Sequence, residues 1–401
     1  MTYKELLNLY KKGELSEEER KSIKADIEKQ EAISEFLFEN DEIPELTDSS
    51  LEVEIADDNT EFDEKRFQKL IKKSIRKAFI KLGVTVGVIV LALVIVANIV
   101  LPHIVDSMYY DPSKVLGTSE SGGVTTQLDI DTMVYTELFT PGYYRFSTFS
   151  NSKGFGEYDI QILQNITLNG QFKTVYGTID KGKMNLFNDN MFKLPAQNSF
   201  VSEGVEGFTG FDSMGAAGSP EDALRKLNKL DESDHYIAFV TFDKIMTYDE
   251  FVAWSDKTNI TPDWCAVCEV QEGGVYDYSA NGIMGFNYLG NAGDICYDKE
   301  KYPYLNLFDV IDSVEDYRLN KAPSEVMETH MISMLRYMMD NKEFREMTGC
   351  IVNDMQLRSL KENIEEHGLN IYGFAITAQK DKILEISEKE NVHYIYASPL
   401  V

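Results

Sequence analysis

One uninterrupted apolar run constrains this chain more than any other feature. Residues 82–105 contain no charged side chain, and these 24 residues would span about 36 Å as a helix at about 1.5 Å per residue. That length exceeds the hydrocarbon core of a bilayer, which is about 30 Å thick. A buried core helix is the alternative, but wholly uncharged core helices seldom exceed about 14 residues. The run therefore predicts a single transmembrane helix, and its distance from Met1 favours a retained anchor over a cleaved signal peptide.

A belt of basic residues precedes the apolar run and predicts its orientation. Residues 65–81 hold eight basic side chains and no acid, whereas the first charged residues beyond the run are Asp106 and Asp111. By the positive-inside rule we expect a cytoplasmic N-terminus and an extracytoplasmic C-terminal part, which is type II topology in a cell membrane. Anionic lipid should attract the belt by about 1 kcal/mol per charge. The belt consists of Lys65, Arg66, Lys69, Lys72, Lys73, Arg76, Lys77 and Lys81.

The acidity of the chain belongs to the segments on either side of this belt. Residues 1–64 hold seven basic and 21 acidic side chains, a net charge of -14, and the residues from 82 onwards hold 24 and 46, a net charge of -22. An acidic tail beside the belt would repel phosphate, so direct nucleic-acid binding is not expected.

The first forty residues carry the signals of two short helices. Thr2 with Glu5 and Ser16 with Glu19 have the spacing of capping boxes, in which the side chains satisfy free amides at a helix start. Gly13 between them can end the first helix in a left-handed conformation. The pattern predicts helices from about residue 3 to 12 and from about 17 to 39.

We expect this helical hairpin, residues 1–40, to dock on a partner protein, because so small a module buries too little apolar area to be stable alone. Residues 41–64 are acidic and predict a linker to the belt at 65–81. The alternative, that the apolar residues only pack the hairpin against itself, stays open. The predicted partner-binding residues are Leu6, Leu7, Tyr10, Ile23 and Ile27.

Beyond the apolar run, residues 106–225 predict a β-rich segment. The stretch LDIDTMV alternates between apolar and polar residues, as a half-buried strand does. Asn169-Gly170 separates two further alternating runs, and Pro141-Gly142 marks a turn.

Residues 226–401 predict an α/β domain with two βαβ units in one sheet. YIAFVTFD, TYDEFVAWSDK and DWCAVCEV form the first unit, and NIYGFAITA, QKDKILEISEKE and VHYIYAS form the second. Helices are expected between them, at about 325–347 and 354–367. The whole chain is thus predicted to be α+β: helical hairpin, transmembrane helix, β-rich segment and α/β domain.

The cysteines give weak indications of chemistry. The C-x-x-C spacing of CAVC falls in a predicted strand, where residues three apart point to opposite faces, so redox chemistry is disfavoured. A structural disulfide and free buried thiols both remain open, and a second metal-binding pair is missing from the sequence nearby. The four cysteines are Cys265, Cys268, Cys296 and Cys350.

Enzyme motifs are not supported by the sequence. GFDSMG around Ser213 has Phe211 where a nucleophile elbow needs glycine. His330 is interpreted as a core or helix-face histidine rather than a base. We therefore expect neither catalysis nor a cofactor. A methionine stripe on the same predicted helix is interpreted as core packing: Met331, Met334 and Met338.

Four stretches of the chain resemble the transmembrane sigma factor regulators in order and spacing. They are residues 63–113, which include SMYYDPS, residues 230–267, the stretch HMISMLRYMMDNKEF, and the stretch IYGFAITAQKDKILEIS. The resemblance implies a membrane-bound anti-sigma factor. Its cytoplasmic end would sequester an extracytoplasmic-function sigma factor, and its outer domain, through a regulatory protein or small ligand, would govern release.

The N-terminal stretch ELLNLYKKGELSEEERKSIKADIEK is similar to the short anti-sigma segments of such anchored proteins. Residues 1–81 contain neither His nor Cys, so the zinc of the zinc-binding anti-sigma class is not expected. Two other functions stay open: a surface enzyme or ligand-binding protein with an incidental tail, and an adhesion or scaffold protein of the cell envelope.

Overall fold

The structure is a computed structural model, and the chain divides into two compact units that meet at residues 82 and 83. The described residues are 9–39 except 11 and 14, 64–166 except 120, 172–188, 192, 199–206 except 202, 219–271, 275–277, 283–288, 294–309 and 322–399. Several sequence predictions lie outside them, namely the capping box at Thr2, the residues Leu6 and Leu7, the linker at 41–64, the turn at Asn169-Gly170, and Ser213.

Helix α1, Glu17–Glu39, has the predicted bounds in the first unit. Its capping box is formed as predicted, because the Ser16 amide donates to Glu19 Oε2 at 3.1 Å and the Glu19 amide donates to Ser16 Oγ at 3.5 Å. Gly13 has φ of +73°, the left-handed conformation expected before this helix.

The apolar run is helical, as predicted. Helix α2, Glu64–Ile95, passes into a π turn, Val96–Val100, and then into α3, Leu101–Asp106. We call Ile71–Asp106 the apolar helix; it is long enough to cross a membrane, its most apolar window has a mean hydropathy of 3.0, and none of that window is buried in protein. In the π turn, Asn98 Nδ2 donates to the Val94 carbonyl at 2.8 Å.

A four-stranded antiparallel sheet follows, in the order β3, β4, β5, β6. A short hairpin of β1 and β2 precedes it, and the turn predicted at Pro141-Gly142 leads into β3, with Gly142 at φ +85°. The strands are β1 Val115–Thr118, β2 Val124–Thr126, β3 Tyr143–Gly154, β4 Glu157–Ile166, β5 Phe172–Asp180 and β6 Lys183–Leu186.

The strand predicted at LDIDTMV is wrong, because these residues lie in helix α4, Gln127–Phe139. Thr126 and Asp129 form a capping box that starts the helix, with Asp129 Oδ2 accepting from the Thr126 amide at 2.9 Å and from its hydroxyl at 2.8 Å. Every residue from 128 to 139 is buried, so no polar face toward water marks the helical period in the sequence. The segment 106–225 is therefore mixed rather than only β-rich.

The two predicted β–α–β units share one sheet, whose main order is β10, β8, β11, β7, β12 with every neighbouring pair antiparallel; β9 pairs with β8. The units interlock, since β11 lies between β7 and β8, and β7 lies between β11 and β12. The elements are β7 His235–Thr247, α6 Tyr248–Thr258, β8 Trp264–Gln271, β9 Val275–Asp277, β10 Met284–Asn287, β11 Asn370–Gln379, α10 Lys380–Ser387 and β12 Val392–Pro399.

Further helices complete this second unit. The helix predicted at 325–347 is interrupted at Asn341, and the helix at 354–367 is observed with Gly368 at its end. The helices are α5 Pro220–Leu227, α7 Ser324–Asp340, α8 Lys342–Met347 and α9 Asp354–His367, and Leu307–Asp309 forms one 3-10 turn.

One hydrophobic core joins α4, the inner face of the four-stranded sheet, α7 and one face of the larger sheet. The methionine stripe of α7 is fully buried within it, as predicted. A smaller cluster around Phe200, Trp264 and Tyr372 covers the opposite face of the larger sheet. The residues before and after the expected boundary at 225 thus pack into a common core.

Candidate functional site

Helix α4 carries three buried carboxylates, and each faces a different part of the second unit. Burying an ionisable group is costly unless partners compensate it, so such groups are candidates for functional positions. Sequence reasoning missed this cluster because the segment was interpreted as a strand. The Thr126–Asp129 spacing was the available signal. The three carboxylates belong to Asp129, Asp131 and Glu137.

Asp129 ties α4 to the four-stranded sheet. Its Oδ1 accepts from Arg145 Nη1 at 2.9 Å and from Thr148 Oγ1 at 2.8 Å, both on β3. The Asp129–Arg145 pair is almost wholly buried. Burial lowers the pKa of Arg145 from its ordinary value, and the facing carboxylate opposes that shift. The pair is an ion pair in a dry setting, where loss of one partner leaves the other uncompensated.

Asp131 links the segment after the apolar helix to α7. It accepts from the Tyr110 hydroxyl at 2.6 Å, from the Tyr337 hydroxyl at 2.8 Å and from Gln127 Nε2 at 3.0 Å. Tyr110 lies four residues beyond the end of the apolar helix at Asp106. Complete burial raises the pKa of Asp131 to about 6, although the three donors act in the opposite direction.

Glu137 makes a second link to α7, through His330. His330 Nδ1 lies 2.7 Å from the Tyr304 carbonyl, and a carbonyl can only accept, so Nδ1 carries a proton. His330 Nε2 lies 3.0 Å from Glu137 Oε1, which also accepts from the Asn287 amide at 3.3 Å. Both groups of this pair are completely buried. The sequence interpretation of His330 as a core histidine is confirmed.

The arrangement fastens several elements to one helix. Asp131 pairs with Tyr337 near one end of α4, and Glu137 pairs with His330 near the other, so α4 and α7 lie side by side in opposite directions. The Glu137 carbonyl also accepts from Trp264 Nε1 at 2.7 Å, which reaches the larger sheet. Hydrogen bonds of α4 thus reach Tyr110, next to the apolar helix, as well as α7 and the larger sheet.

The described residues do not form a metal site at α4. No cluster of three metal-ligating side chains occurs among them. A cavity of about 250 Å³ lies elsewhere, lined by residues of β6 and of the end of α8, and none of the three carboxylates borders it. Pockets for small organic ligands are usually larger, at about 300–1,000 Å³.

The predicted partner-binding residues of the N-terminal hairpin are only partly covered. Tyr10 and Ile27 are half-buried, and Ile23 is 4% exposed. The Tyr10 ring lies 5.8 Å from the Arg20 guanidinium carbon, so residues before Gly13 pack on α1. Ile23 fits the self-packing alternative, whereas Tyr10 and Ile27 keep surface for a partner. Partner binding by these residues stays a prediction.

The basic belt, residues 65–81, lies on α2 and overlaps the first turns of the apolar helix. The side chains of Lys65 and Arg66 are outside the described set, and contact of the belt with lipid stays a prediction. The exposed belt side chains are Lys69, Lys72, Lys73, Arg76, Lys77 and Lys81.

All four cysteines are free thiols in the structure. Cys265 faces the main core and Cys268 faces the smaller cluster, so the C-x-x-C pair points to opposite sides of β8, as the strand interpretation requires. Burial raises the pKa of both thiols, which disfavours a reactive thiolate. Cys296 and Cys350 are half-buried, and disulfide pairing stays a prediction.

The larger sheet and its helices form a mixed α/β fold, and the described part of the chain has one helix of membrane-spanning length. Residues 227–396 match the model of the sigma factor regulator C-terminal family, a stretch that runs from the end of α5 into β12. This part of the chain is similar to that family. A comparison with curated proteins gave no match, and a comparison with solved structures gave none.

Proposed function

We propose that the chain is a membrane-anchored anti-sigma factor. Its N-terminal tail would sequester an extracytoplasmic-function sigma factor, and its part beyond the membrane would receive the signal that controls release. The observation that carries the proposal is the sigma factor regulator match over residues 227–396, on a chain with one helix long and apolar enough to cross a membrane.

The charge of the tail supports a sigma factor as partner. A sigma factor must present basic surfaces to DNA, and residues 1–64 carry a net charge of -14. Helix α1 starts with three glutamates, and Tyr10 and Ile27 leave apolar surface that can enter a groove of the partner. Acidic charge would guide the encounter, and apolar contacts would hold the complex.

The domain plan follows from the same proposal. Residues 1–40 would form the sigma-binding module, 41–64 the acidic linker, 65–81 the juxtamembrane helix and 82–105 the span. Residues 106–225 would transmit between the membrane and the regulator domain at 226–401. The contacts of α4 support this transmitting role, because they link Tyr110 to α7 and to the larger sheet.

Capture of the sigma factor tests the proposal directly. The full-length chain, purified from membranes in detergent, should retain the sigma factor encoded beside its gene, and Ile27→Asp should weaken that complex about tenfold or more, as loss of an interface anchor does. Ile351→Asp is the matched control, since Ile351 is exposed and lies beyond the apolar helix. A chain that retains no sigma factor, and whose deletion leaves target transcription unchanged, would contradict the proposal.

Orientation is a separate test. In intact cells an added protease should reach residues beyond the apolar helix and spare the N-terminal tail. Exchange of the belt lysines and arginines for glutamate should reverse or scramble this pattern, whereas the same number of exchanges beyond residue 225 should leave it unchanged. A tail that is cleaved from outside in the unaltered chain would contradict the expected topology.

A further inference from the structure

The tip of one β-hairpin contacts the final turn of the apolar helix, and the tip of a second hairpin contacts the first tip. The Gly156 amide, in the turn between β3 and β4, donates to Asp106 Oδ1 at 2.6 Å. A Cβ atom on Gly154 would lie 3.1 Å from Pro102 Cβ. The Lys181 amide, in the turn between β5 and β6, donates to the Gly156 carbonyl at 2.9 Å. These contacts hold the first tip against residues 102–106, and the second tip lies against the first.

An aromatic residue occupies the tip of the first hairpin in a left-handed backbone conformation that bulky residues rarely adopt. Phe155 has φ of +58° between Gly154 and Gly156, which have φ of +82° and +77°. Asn, Asp and Gly are the usual residues of such turns, and a bulky side chain in the left-handed region is a strained exception. Phe155 is nevertheless 40% exposed. Core packing therefore does not explain why a phenylalanine is placed there.

Two more apolar side chains are exposed at the same level. Met108 and Tyr109 follow directly on the apolar helix, and both side chains are exposed. A Cβ atom on Gly156 would lie 3.0 Å from Tyr109 Cδ2, so the tyrosine ring lies against the hairpin tip. Together with Phe155 they form what we call the tip cluster: Met108, Tyr109 and Phe155.

Both lysines near the tip cluster are paired with aspartates, and Asp106 and Glu157 add negative charge beside it. Lys153 Nζ lies 2.6 Å from Asp159 Oδ1, and Lys181 Nζ lies 3.2 Å from Asp180 Oδ1. Paired charges leave little net attraction for an anionic surface, in contrast to the belt at the other end of the apolar helix. The tip cluster has the composition of an interfacial contact, in which aromatic side chains lie at the level of lipid headgroups.

We propose that the tip cluster inserts into the headgroup region of the outer leaflet and holds the four-stranded sheet at a fixed place on the membrane. The inference rests on the proposed membrane crossing and is independent of sigma factor binding. Continuity supports the lipid as occupant, because Pro102 and Asp106 belong to the same helix that would cross the bilayer and are about 6 Å apart along its axis.

Tryptophan scanning in vesicles tests this contact. The full-length protein is reconstituted into phosphatidylcholine vesicles with and without brominated chains, and Phe155→Trp is compared with Phe149→Trp. Phe149 is the matched control, because it lies on β3, the strand that leads to the tip, and is 62% exposed but six residues before Phe155. The native Trp254 and Trp264 are buried, and the parent protein gives their background.

Brominated lipid should quench the added tryptophan several-fold more strongly at 155 than at 149, with a blue-shifted emission at 155. Tyr109→Trp provides a second position should Phe155→Trp fail to fold by circular dichroism. Equal quenching at 155 and 149, or none at 155 and 109, would overturn the inference.

Leu91→Trp in the apolar helix separates this result from the larger proposal. Strong quenching at 91 with none at 155 and 109 would overturn only the tip contact and leave the membrane crossing intact. Absence of quenching at 91 would contradict the crossing itself and remove the basis of the tip contact.

Discussion

A helix that borders water normally buries apolar side chains and exposes charged ones. Helix α4 and the apolar helix both depart from this rule, but in different ways. α4 buries Asp129, Asp131 and Glu137 inside protein, whereas every residue in the most apolar window of the apolar helix is uncovered. Each carboxylate of α4 has at least one hydrogen-bond partner, although Glu137 Oε2 has none among the described residues. Lipid would suit the apolar surface of the other helix. The polarity of a helix must therefore be compared with its actual surroundings, whether protein, lipid or water. The exposed fraction of its side chains does not identify those surroundings.

Loss of the buried ion pair should have the largest effect. Arg145→Ala leaves Asp129 buried without its cation and should lower the free energy of unfolding by about 3–5 kcal/mol. Lys153→Ala removes a half-exposed ion pair from the same strand and should cost less than about 1 kcal/mol. Denaturant titration of the full-length protein in detergent measures both. Equal losses would mean that burial does not distinguish the two pairs.

A charge in the apolar helix should cost nearly as much, but only in a membrane. Leu91→Arg places a cation at the middle of the run and should disfavour insertion by about 2.5–3.5 kcal/mol. Ile351→Arg puts the same charge on an exposed residue of the second unit and should be almost neutral. The measured quantity is the fraction of chain that resists carbonate extraction from membranes. An unaffected Leu91→Arg variant would argue against a lipid environment.

Acidification should stabilise the second unit through Asp131. Its pKa is about 6 in the folded chain against 3.8 for the ordinary group, so the folded state retains the proton more strongly. The free energy of unfolding should fall by up to about 3 kcal/mol as pH rises from about 4 to about 6, and should stay level above that. Asp131→Asn should abolish this fall, as thermal unfolding at several pH values can show. An unchanged pH profile in the variant would assign the dependence to other groups.

The smallest effect is expected at the start of α4. Thr126→Ala removes the hydroxyl that donates to Asp129 in the capping box and should cost about 1 kcal/mol, while Thr126→Ser keeps the hydroxyl and should cost less. Thermal unfolding of the two variants measures the difference. No difference between them would mean that the start of this buried helix is set by packing instead of by its cap.

Much of this fold could be predicted where the spacing of apolar residues matches the buried side of a helix or strand. The strands and helices of the two interlocked β–α–β units, helix α1 and the apolar helix were predicted from apolar spacing and capping signals, whereas β9 and β10 were not. α4 could not be predicted in this way, since burial on all sides removes the polar face that defines a helical period. Its partners Arg145, Tyr337 and His330 are distant in sequence, so only the folded chain brings them to the carboxylates.

Binding of a sigma factor by the tail and binding of lipid by the belt stay predictions. Both were proposed from charge and apolar spacing, which describe what a surface can bind but not what binds it. The four thiols illustrate the same limit, because spacing predicted the opposite faces of Cys265 and Cys268 but could not decide whether any cysteine is oxidised.

The π turn at Val96–Val100 has a consequence for rotation about the axis of the apolar helix. A π turn takes up one more residue than an α turn, so the final turn is offset by one residue, about 100°, from a regular continuation of α2. Asp106 reaches the Gly156 amide in this offset register. Rewinding of the five residues into regular α-helix would turn Asp106 away from the hairpin. The hydrogen bond between Asp106 and Gly156 therefore depends on the π turn.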